Sequence, residues 1–239
     1  MKNYQASLFS CAGRKGSNQD SLLFEQLDDG TVLLAIADGM GGHVGGQVAS
    51  ELAIATVKSE LATHSNVELS LVFEKVQKAF ISKVEQEPEL KKMGSTLTVC
   101  VISGTRANIA HVGDTRLYHL RNSGLVSRTI DQTELQQLID QGVITKARAK
   151  NYHRKNILLS VMSAYRDYEL QVSSFDLLDG DRLLLLTDGA YSLMSKVEIR
   201  DLSLQNTEVS NFVDSLKSLI ESRVIKDDYT ALAFEFSGA

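Results

Sequence analysis

Tryptophan is absent from the 239 residues, proline occurs once, at Pro88, and cysteine only twice, at Cys11 and Cys100. Aromatic residues make up 6% of the chain, too few for the stacking platforms on which single-stranded nucleic acids are bound. Cationic charge is also in deficit. The net charge of −5 denies the chain the overall electrostatic footprint of a nucleic-acid binder and leaves room only for a local basic patch. Two cysteines so far apart form neither a CxxC pair nor a zinc spacing. They read as free thiols of a reducing cytoplasm, Cys11 in a polar loop and Cys100 in an apolar strand. The opening Met1-Lys2-Asn3-Tyr4-Gln5 lacks the apolar stretch of a signal peptide. No uncharged apolar run approaches the roughly 20 residues of a membrane span. Nor is there a proline- or serine-rich linker, an internal repeat or a low-complexity tract, so a single domain over residues 1–239 is expected.

What is present is an ordinary globular composition, 43% hydrophobic and 23% charged, on a chain long enough to bury a core unaided. Residues 31–37 read as a buried strand. Five glycines follow in the eight positions from Gly39 to Gly46, which demands a loop with unusual backbone angles. Helices are expected at about 46–62 and 67–86. The first buries either Val48, Leu52 and Ala55 or Ala49, Ala53 and Val57, and the second buries Val72, Val76, Phe80 and Val84. Short strands at 96–102, 107–112 and 115–121 are joined by connections that favour antiparallel hairpins. A polar region, 131–167, holds a helix at 133–141 ended by Gly142. Strands at 168–177 and 182–187, a helix near 207–223 and a strand at 229–236 complete the reading. Strands and helices come in blocks, which points to antiparallel sheets covered by helices, an α+β arrangement, and away from a doubly wound parallel sheet.

Aspartates recur at the ends of the apolar runs. Asp38 and Asp188 each follow such a run and precede a glycine; Asp114 follows Ala110-His111-Val112-Gly113; Asp227 and Asp228 precede the last strand, and Asp20 precedes Leu22-Leu23-Phe24. A single Asp-Gly after a strand is usually a turn. A carboxylate at the end of a buried strand is costly unless hydrogen-bonded, paired or metal-bound. A set of carboxylates without a His/Cys cluster favours Mg²⁺ or Mn²⁺ over zinc.

In their order along the chain, these stretches resemble the metal-dependent serine/threonine protein phosphatases of type 2C, in their compact bacterial form. The matching segments are Gly16-Ser17-Asn18-Gln19-Asp20, Ala37-Asp38-Gly39-Met40-Gly41-Gly42-His43, Gly94-Ser95-Thr96-Leu97, His111-Val112-Gly113-Asp114-Thr115-Arg116, Gly180-Asp181-Arg182 through Thr187-Asp188-Gly189, and Asp227-Asp228-Tyr229-Thr230. Each is weak alone, and the ordered set is specific. The resemblance implies a four-layer α-β-β-α sandwich, two antiparallel sheets flanked by helices, with a binuclear metal site at one end. It implies two Mn²⁺ or Mg²⁺ ions and a weaker third. Asp38 would bridge two metals, Gly39 would offer its carbonyl, and Asp188 and Asp227 would complete the site. Asp114 would join Asp188 at the third metal, and Asp20 would hold metal-bound water. The catalytic set is then Asp38, Asp188 and Asp20. The implied reaction is hydrolysis of phosphoserine or phosphothreonine by a metal-bridging hydroxide.

Other residues follow from the same comparison. Where the family carries a phosphate-binding Arg this chain has Lys15, with Arg14 before it, and Lys15 is expected to reach the phosphate. Gln19 stands where many members have Glu, and Asp228 where Asn is usual, so Asp227 and Asp228 compete for one ligand position. His43 either protonates the leaving alkoxide or orders the glycine loop. His64, His111, His119 and His153 have no carboxylate or Cys neighbour in sequence and read as structural or exposed. The basic run from Lys146 to Lys155 lies where the family has a mobile flap, about 131–167. It reads either as a solvated surface or as a docking strip for acidic phosphoprotein loops. The segment Leu159-Ser160-Val161-Met162-Ser163-Ala164 lacks the Leu-Gly that usually follows the flap. The expected partners are phosphoproteins, substrates of a cognate Ser/Thr kinase, met by a cytoplasmic monomer without nucleic acid or membrane. Two other readings stand beside this one: a catalytically weak phosphatase-like module that binds phosphoproteins, and a metal-dependent hydrolase of small phosphoesters.

Overall fold

The computed structural model describes residues 4–14, 16–63, 68–149 and 152–238. Along the chain lie β1 (Tyr4–Cys11), β2 (Asp20–Gln26), β3 (Val32–Met40), α1 (His43–Thr63), α2 (Leu69–Gln86), β4 (Gly94–Ser95), β5 (Leu97–Ser103), β6 (Arg106–Val112), β7 (Arg116–Arg121) and β8 (Gly124–Ser127). There follow α3 (Glu134–Asp140), α4 (Lys146–Ala149), β9 (Met162–Ser163), β10 (Gln171–Asp176), β11 (Arg182–Leu186), α5 (Asp188–Tyr191), α6 (Lys196–Gln205), α7 (Val209–Glu221) and β12 (Tyr229–Phe236). One sheet runs β1-β12-β11-β7-β8. The other runs β10-β6-β5-β3-β4-β9, with β2 on the free side of β3, and every pairing is antiparallel.

The strands are apolar on both faces because both faces are covered. Along β3, Leu33, Ala35 and Ala37 meet α1 and α2, while Val32, Leu34 and Ile36 enter the seam between the sheets. On β11 the division is the same: Leu184 and Leu186 face α6 and α7, and Leu183 and Leu185 face the seam. Three apolar layers therefore hold four layers of structure, α-β-β-α. Helix α1 buries Ala49, Ala53 and Val57, the second of its two candidate faces, and α2 buries Val72, Val76, Phe80 and Val84 as its spacing requires.

Several expectations need correcting. Cys11 ends strand β1 and is not in a loop, though both cysteines are free. Strand β1 escapes the sequence pattern because it is an edge strand, largely half-buried. Helix α6 escapes because Ile199 is its one buried residue. The strand expected at 168–177 spans only Gln171–Asp176. His119, by contrast, is buried as a structural histidine, with a carboxylate that is no neighbour in sequence: Asp181 Oδ2 lies 3.0 Å from its Nε2. Sixty-odd residues separate the two in sequence, and pairing of β7 with β11 brings them together.

Candidate functional site

The two sheets deliver their aspartates to the same end of the sandwich. Asp38 lies near the end of β3 and, by strand alternation, on the seam face of Val32, Leu34 and Ile36. Asp188 opens α5 directly after β11, and Asp227 and Asp228 immediately precede β12. Asp114 occupies the tight β6–β7 connection. Asp38, Gly39, Asp114, Asp188, Asp227 and Asp228 line one cleft of about 630 Å³ together with Gln19 and Thr96, and the far wall includes Asn156, Leu158 and Arg166.

Local chemistry fixes each piece. The Asp38 amide donates to Thr96 Oγ1 (2.9 Å), and its carbonyl accepts from the Thr96 amide (2.9 Å) and from Ser95 Oγ (3.0 Å). That is the work of the Gly94-Ser95-Thr96 segment: Thr96 interrupts the strand between β4 and β5 and grips the backbone beneath the aspartate. A Cβ on Gly39 would overlap the Gly46 carbonyl, so glycine is required there by close approach. At Gly41 (φ +122°) and Gly42 (φ +88°) it is required by conformation. A Cβ on Gly189 would overlap the Asp228 carbonyl, which explains the Asp188-Gly189 pair.

The carboxylates repel one another. The β2–β3 register sets Asp20 directly opposite Asp38, a like-charge pair that is unfavourable in a ladder. Burial first, then the charges of Asp20, Asp188, Asp114 and Asp227, push the Asp38 carboxyl well above its ordinary range. Asp20 is pushed up to about 7 by burial, against two hydrogen bonds from Thr230 Oγ1 (2.7 Å) and Thr187 Oγ1 (2.8 Å) to its Oδ2. Asp114, also pushed to about 7 by burial and then by Asp188 and Asp131, accepts a hydrogen bond from the Tyr191 hydroxyl (3.2 Å). Carboxyl groups so crowded are converted to the fully ionised form by a divalent cation, and an all-oxygen set suits Mg²⁺ or Mn²⁺. Among the described residues no three acidic, imidazole or thiol side chains close into a ready-made cage. Ions of this kind retain several waters and need only one or two carboxylates each, so an open, carboxylate-lined cleft fits them.

Asp227 and Asp228 are separated by their partners. Asp228 accepts the Gly13 amide on Oδ1 (2.7 Å) and the Gln19 amide on Oδ2 (2.8 Å), so both its oxygens brace the β1–β2 connection. Arg14 is exposed and does not line the cleft, and Lys15 lies outside the described residues. His43 begins α1, and its side chain lies outside the described set, as do Lys146 and Lys150. Within the basic run, Arg154 is committed to Glu134 by a double contact (Nε–Oε1 2.8 Å, Nη2–Oε2 2.6 Å). Segment 131–167 carries α3, α4 and β9, and β9 returns it to the core by pairing with β4. Sequence reasoning missed Asn156, Arg166 and Tyr191. The first two lie in irregular segments with no periodic signal, and Tyr191 sits three residues after Asp188, on the next turn.

Comparison with known proteins identifies the family and the fold. The family model described as protein phosphatase 2C matches residues 10–228. The serine/threonine protein phosphatase PstP of Mycobacterium tuberculosis (strain CDC 1551 / Oshkosh) is 33% identical over 211 residues, 87% of this chain but only 39% of PstP. The chain thus spans well under half of that relative. The serine/threonine phosphatase Stp of Listeria welshimeri is 31% identical over 221 residues, covering 89% of this chain and 87% of Stp. The crystal structure of the PstP catalytic domain with two manganese ions superposes with a TM-score of 0.85 at 30% identity, covering 97% of both chains.

Proposed function

This chain belongs to the protein phosphatase 2C family, and on that premise we propose that it is a metal-dependent phosphatase hydrolysing phosphoserine and phosphothreonine in proteins. The observation that carries the reading is the meeting of Asp38 and Gly39 from one sheet with Asp188 and Asp227 from the other in a single cleft. Asp38 would be the shared ligand of two divalent cations, the Gly39 carbonyl would serve one of them, and Asp188 and Asp227 the other. When bound, the cations supply a water deprotonated near neutral pH and neutralise the charge of the phosphoryl group. Asp20, which accepts from Thr187 and Thr230 and pairs across the ladder with Asp38, would orient water. Arg166 on the cleft wall, and Lys15 by the resemblance, are the cations available to a substrate phosphate. Asp114 would serve a weaker third ion with Asp188. Asp228 acts as a brace and holds the loop carrying Gln19.

The sequence carries no motif for a closed pocket with specific small-molecule donors, which favours a protein segment over a small phosphoester. Its full complement of carboxylates favours turnover over mere binding. A single catalytic unit, acting as a monomer in a reducing cytoplasm against a Ser/Thr kinase, completes the proposal. The described residues contain no helix long and apolar enough to cross a membrane. Hydrolysis of a phosphothreonine peptide in Mn²⁺, abolished by a chelator and restored by Mn²⁺ or Mg²⁺, is the expected result. A chain that binds such a peptide with Mn²⁺ present but releases no phosphate would establish the binding-module reading instead.

A further inference from the structure

We infer that Tyr191 is a positioning residue that orients Asp114 and ties it to the root of the 131–167 segment; the inference rests on the assignment of Asp114 to a divalent cation. The Tyr191 hydroxyl donates to Asp114 Oδ2 (3.2 Å). Its ring lies under the Arg116 guanidinium, with Cζ 3.6 Å from the ring centroid. Arg116 is in turn held in a two-pronged contact by Asp131, Nε to Oδ1 at 2.9 Å and Nη2 to Oδ2 at 2.6 Å. Asp131 is where the segment leaves the core.

A second set of contacts holds the backbone on the other side of the same aspartate. The Gln132 amide donates to the Gly113 carbonyl (2.8 Å), and the Gly113 amide donates to Gln132 Oε1 (2.7 Å). His111 Nε2 lies 3.1 Å from the Gly113 carbonyl and 3.2 Å from that of Ile130. Its Nδ1 is 2.8 Å from Thr98 Oγ1. The main chain of Gly113, the residue immediately before Asp114, is therefore clamped to residues 130–132. The Asp114 side chain is linked to the same residues through Tyr191 and Arg116. A displacement of the segment root cannot occur without disturbing one of these links. Asp131 touches no proposed ligand, yet it holds the cation that holds the ring whose hydroxyl aims Asp114. Groups that orient a metal ligand typically matter tenfold or more for metal affinity.

The test uses the full chain, calorimetric Mn²⁺ titration and the Mn²⁺ dependence of phosphopeptide hydrolysis. Tyr191→Phe removes only the hydroxyl and keeps the ring under Arg116. It is expected to weaken the weakest Mn²⁺ site roughly tenfold while leaving the tighter ions unchanged. Half-saturating Mn²⁺ for turnover should rise to match, and kcat at saturating Mn²⁺ should return toward the parent value, a split that general loosening would not produce. Asp131→Asn should weaken the same site. Because the two residues act in one chain of contacts, the double variant should lose less than the product of the single losses. Amide exchange across 134–149 should speed up in Asp131→Asn and stay unchanged in Tyr191→Phe. Parental Mn²⁺ binding in Tyr191→Phe, or losses that multiply fully in the double variant, overturns the relay alone. A parent chain that takes up no Mn²⁺ overturns the metal assignment and the relay together.

Discussion

Asp38 retains its proton further up the pH range than an ordinary carboxyl, because burial and four neighbouring aspartates oppose its ionisation. Without metal, the folded chain thus binds more protons at Asp38 than the unfolded chain does from about pH 4 upward. Stability that Asp38 leaves intact at acid pH is lost as the pH rises through this interval. His111 pulls the other way. Burial lowers it from 6.5 to about 4, so stability present above pH 6.5 falls as the pH drops toward 4, by about 3 kcal/mol. Only a difference between variants isolates the aspartate. In chelator, Asp38→Asn is expected to melt higher than the parent, by a margin that widens from pH 4 to 7, while losing Mn²⁺ binding and several orders of magnitude of turnover. A margin that stays flat across that range would contradict the repulsion argument. Asp227 and Asp228, adjacent and chemically identical, should respond in opposite ways. Asp228→Asn faces two backbone amides with one acceptor and one donor, and should cost about 1–3 kcal/mol at unchanged Mn²⁺ affinity. Asp227→Asn keeps an oxygen able to accept the Asp228 amide (3.2 Å), and should weaken Mn²⁺ binding more than it changes metal-free stability. Thermal melts and calorimetry on both variants separate the roles.

Elements that bury a repeating face were legible in the sequence; of those that do not, α3 was found from the Gly142 stop that follows it, while β1 and α6 were missed. Helix α2 and strand β12 match their expected limits closely because Val72, Val76, Phe80 and Val84, or Leu232 and Phe234, recur at the period of their structure. Helix α6 has almost no buried face, but it carried another signal in Ser195-Lys196-Val197-Glu198. Ser195 Oγ accepts the Glu198 amide (3.2 Å), and the Glu198 carboxylate accepts the Ser195 amide (2.8 Å), a reciprocal cap. Ser195→Ala should therefore cost about 1 kcal/mol, read as a lowered melting midpoint. At its other end α6 depends on a residue no local pattern reveals. Arg182, buried at the start of β11, donates to the carbonyls of Ser203 (2.8 Å) and Asn206 (2.8 Å) and pairs with Glu235. Arg182→Met keeps the stem and strands the carboxylate and the carbonyls together. A loss of about 3 kcal/mol or more is expected, against near-neutral behaviour if the pair were an ordinary surface contact.

Each half of the proposed metal site is rooted in a different sheet, and this is why the order of motifs along the chain points to the cleft while no single motif could. Asp38 and Gly39 belong to the sheet that carries α1 and α2; Asp188 and Asp227 lie next to β11 and β12 of the sheet that carries α6 and α7. Between the sheets runs an apolar seam of Val32, Leu34, Ile36, Leu183, Leu185, Leu232 and Phe234. That seam ends where the carboxylates begin, so the metal-free molecule has apolar attraction along the sandwich and electrostatic repulsion at one end. Cations bound there would replace repulsion with a bridge between the sheets. A ligand that binds only the folded state stabilises it by about 2.7 kcal/mol at a hundred times its Kd. For a chain of this size that corresponds to a rise of roughly 5–10 °C in Tm. The gain should be local in origin. Amide exchange should slow at the end of β3, at the β11–α5 junction and at the start of β12, and hardly at all in β8 or β10, which lie at the outer edges of their sheets. Asp38→Asn, lacking the proposed shared ligand, should show neither the rise in Tm nor the change in exchange when Mn²⁺ is added. Equal slowing across all strands, or a Tm response retained in Asp38→Asn, would mean that Mn²⁺ acts elsewhere on the molecule and does not join the two sheets through this cleft.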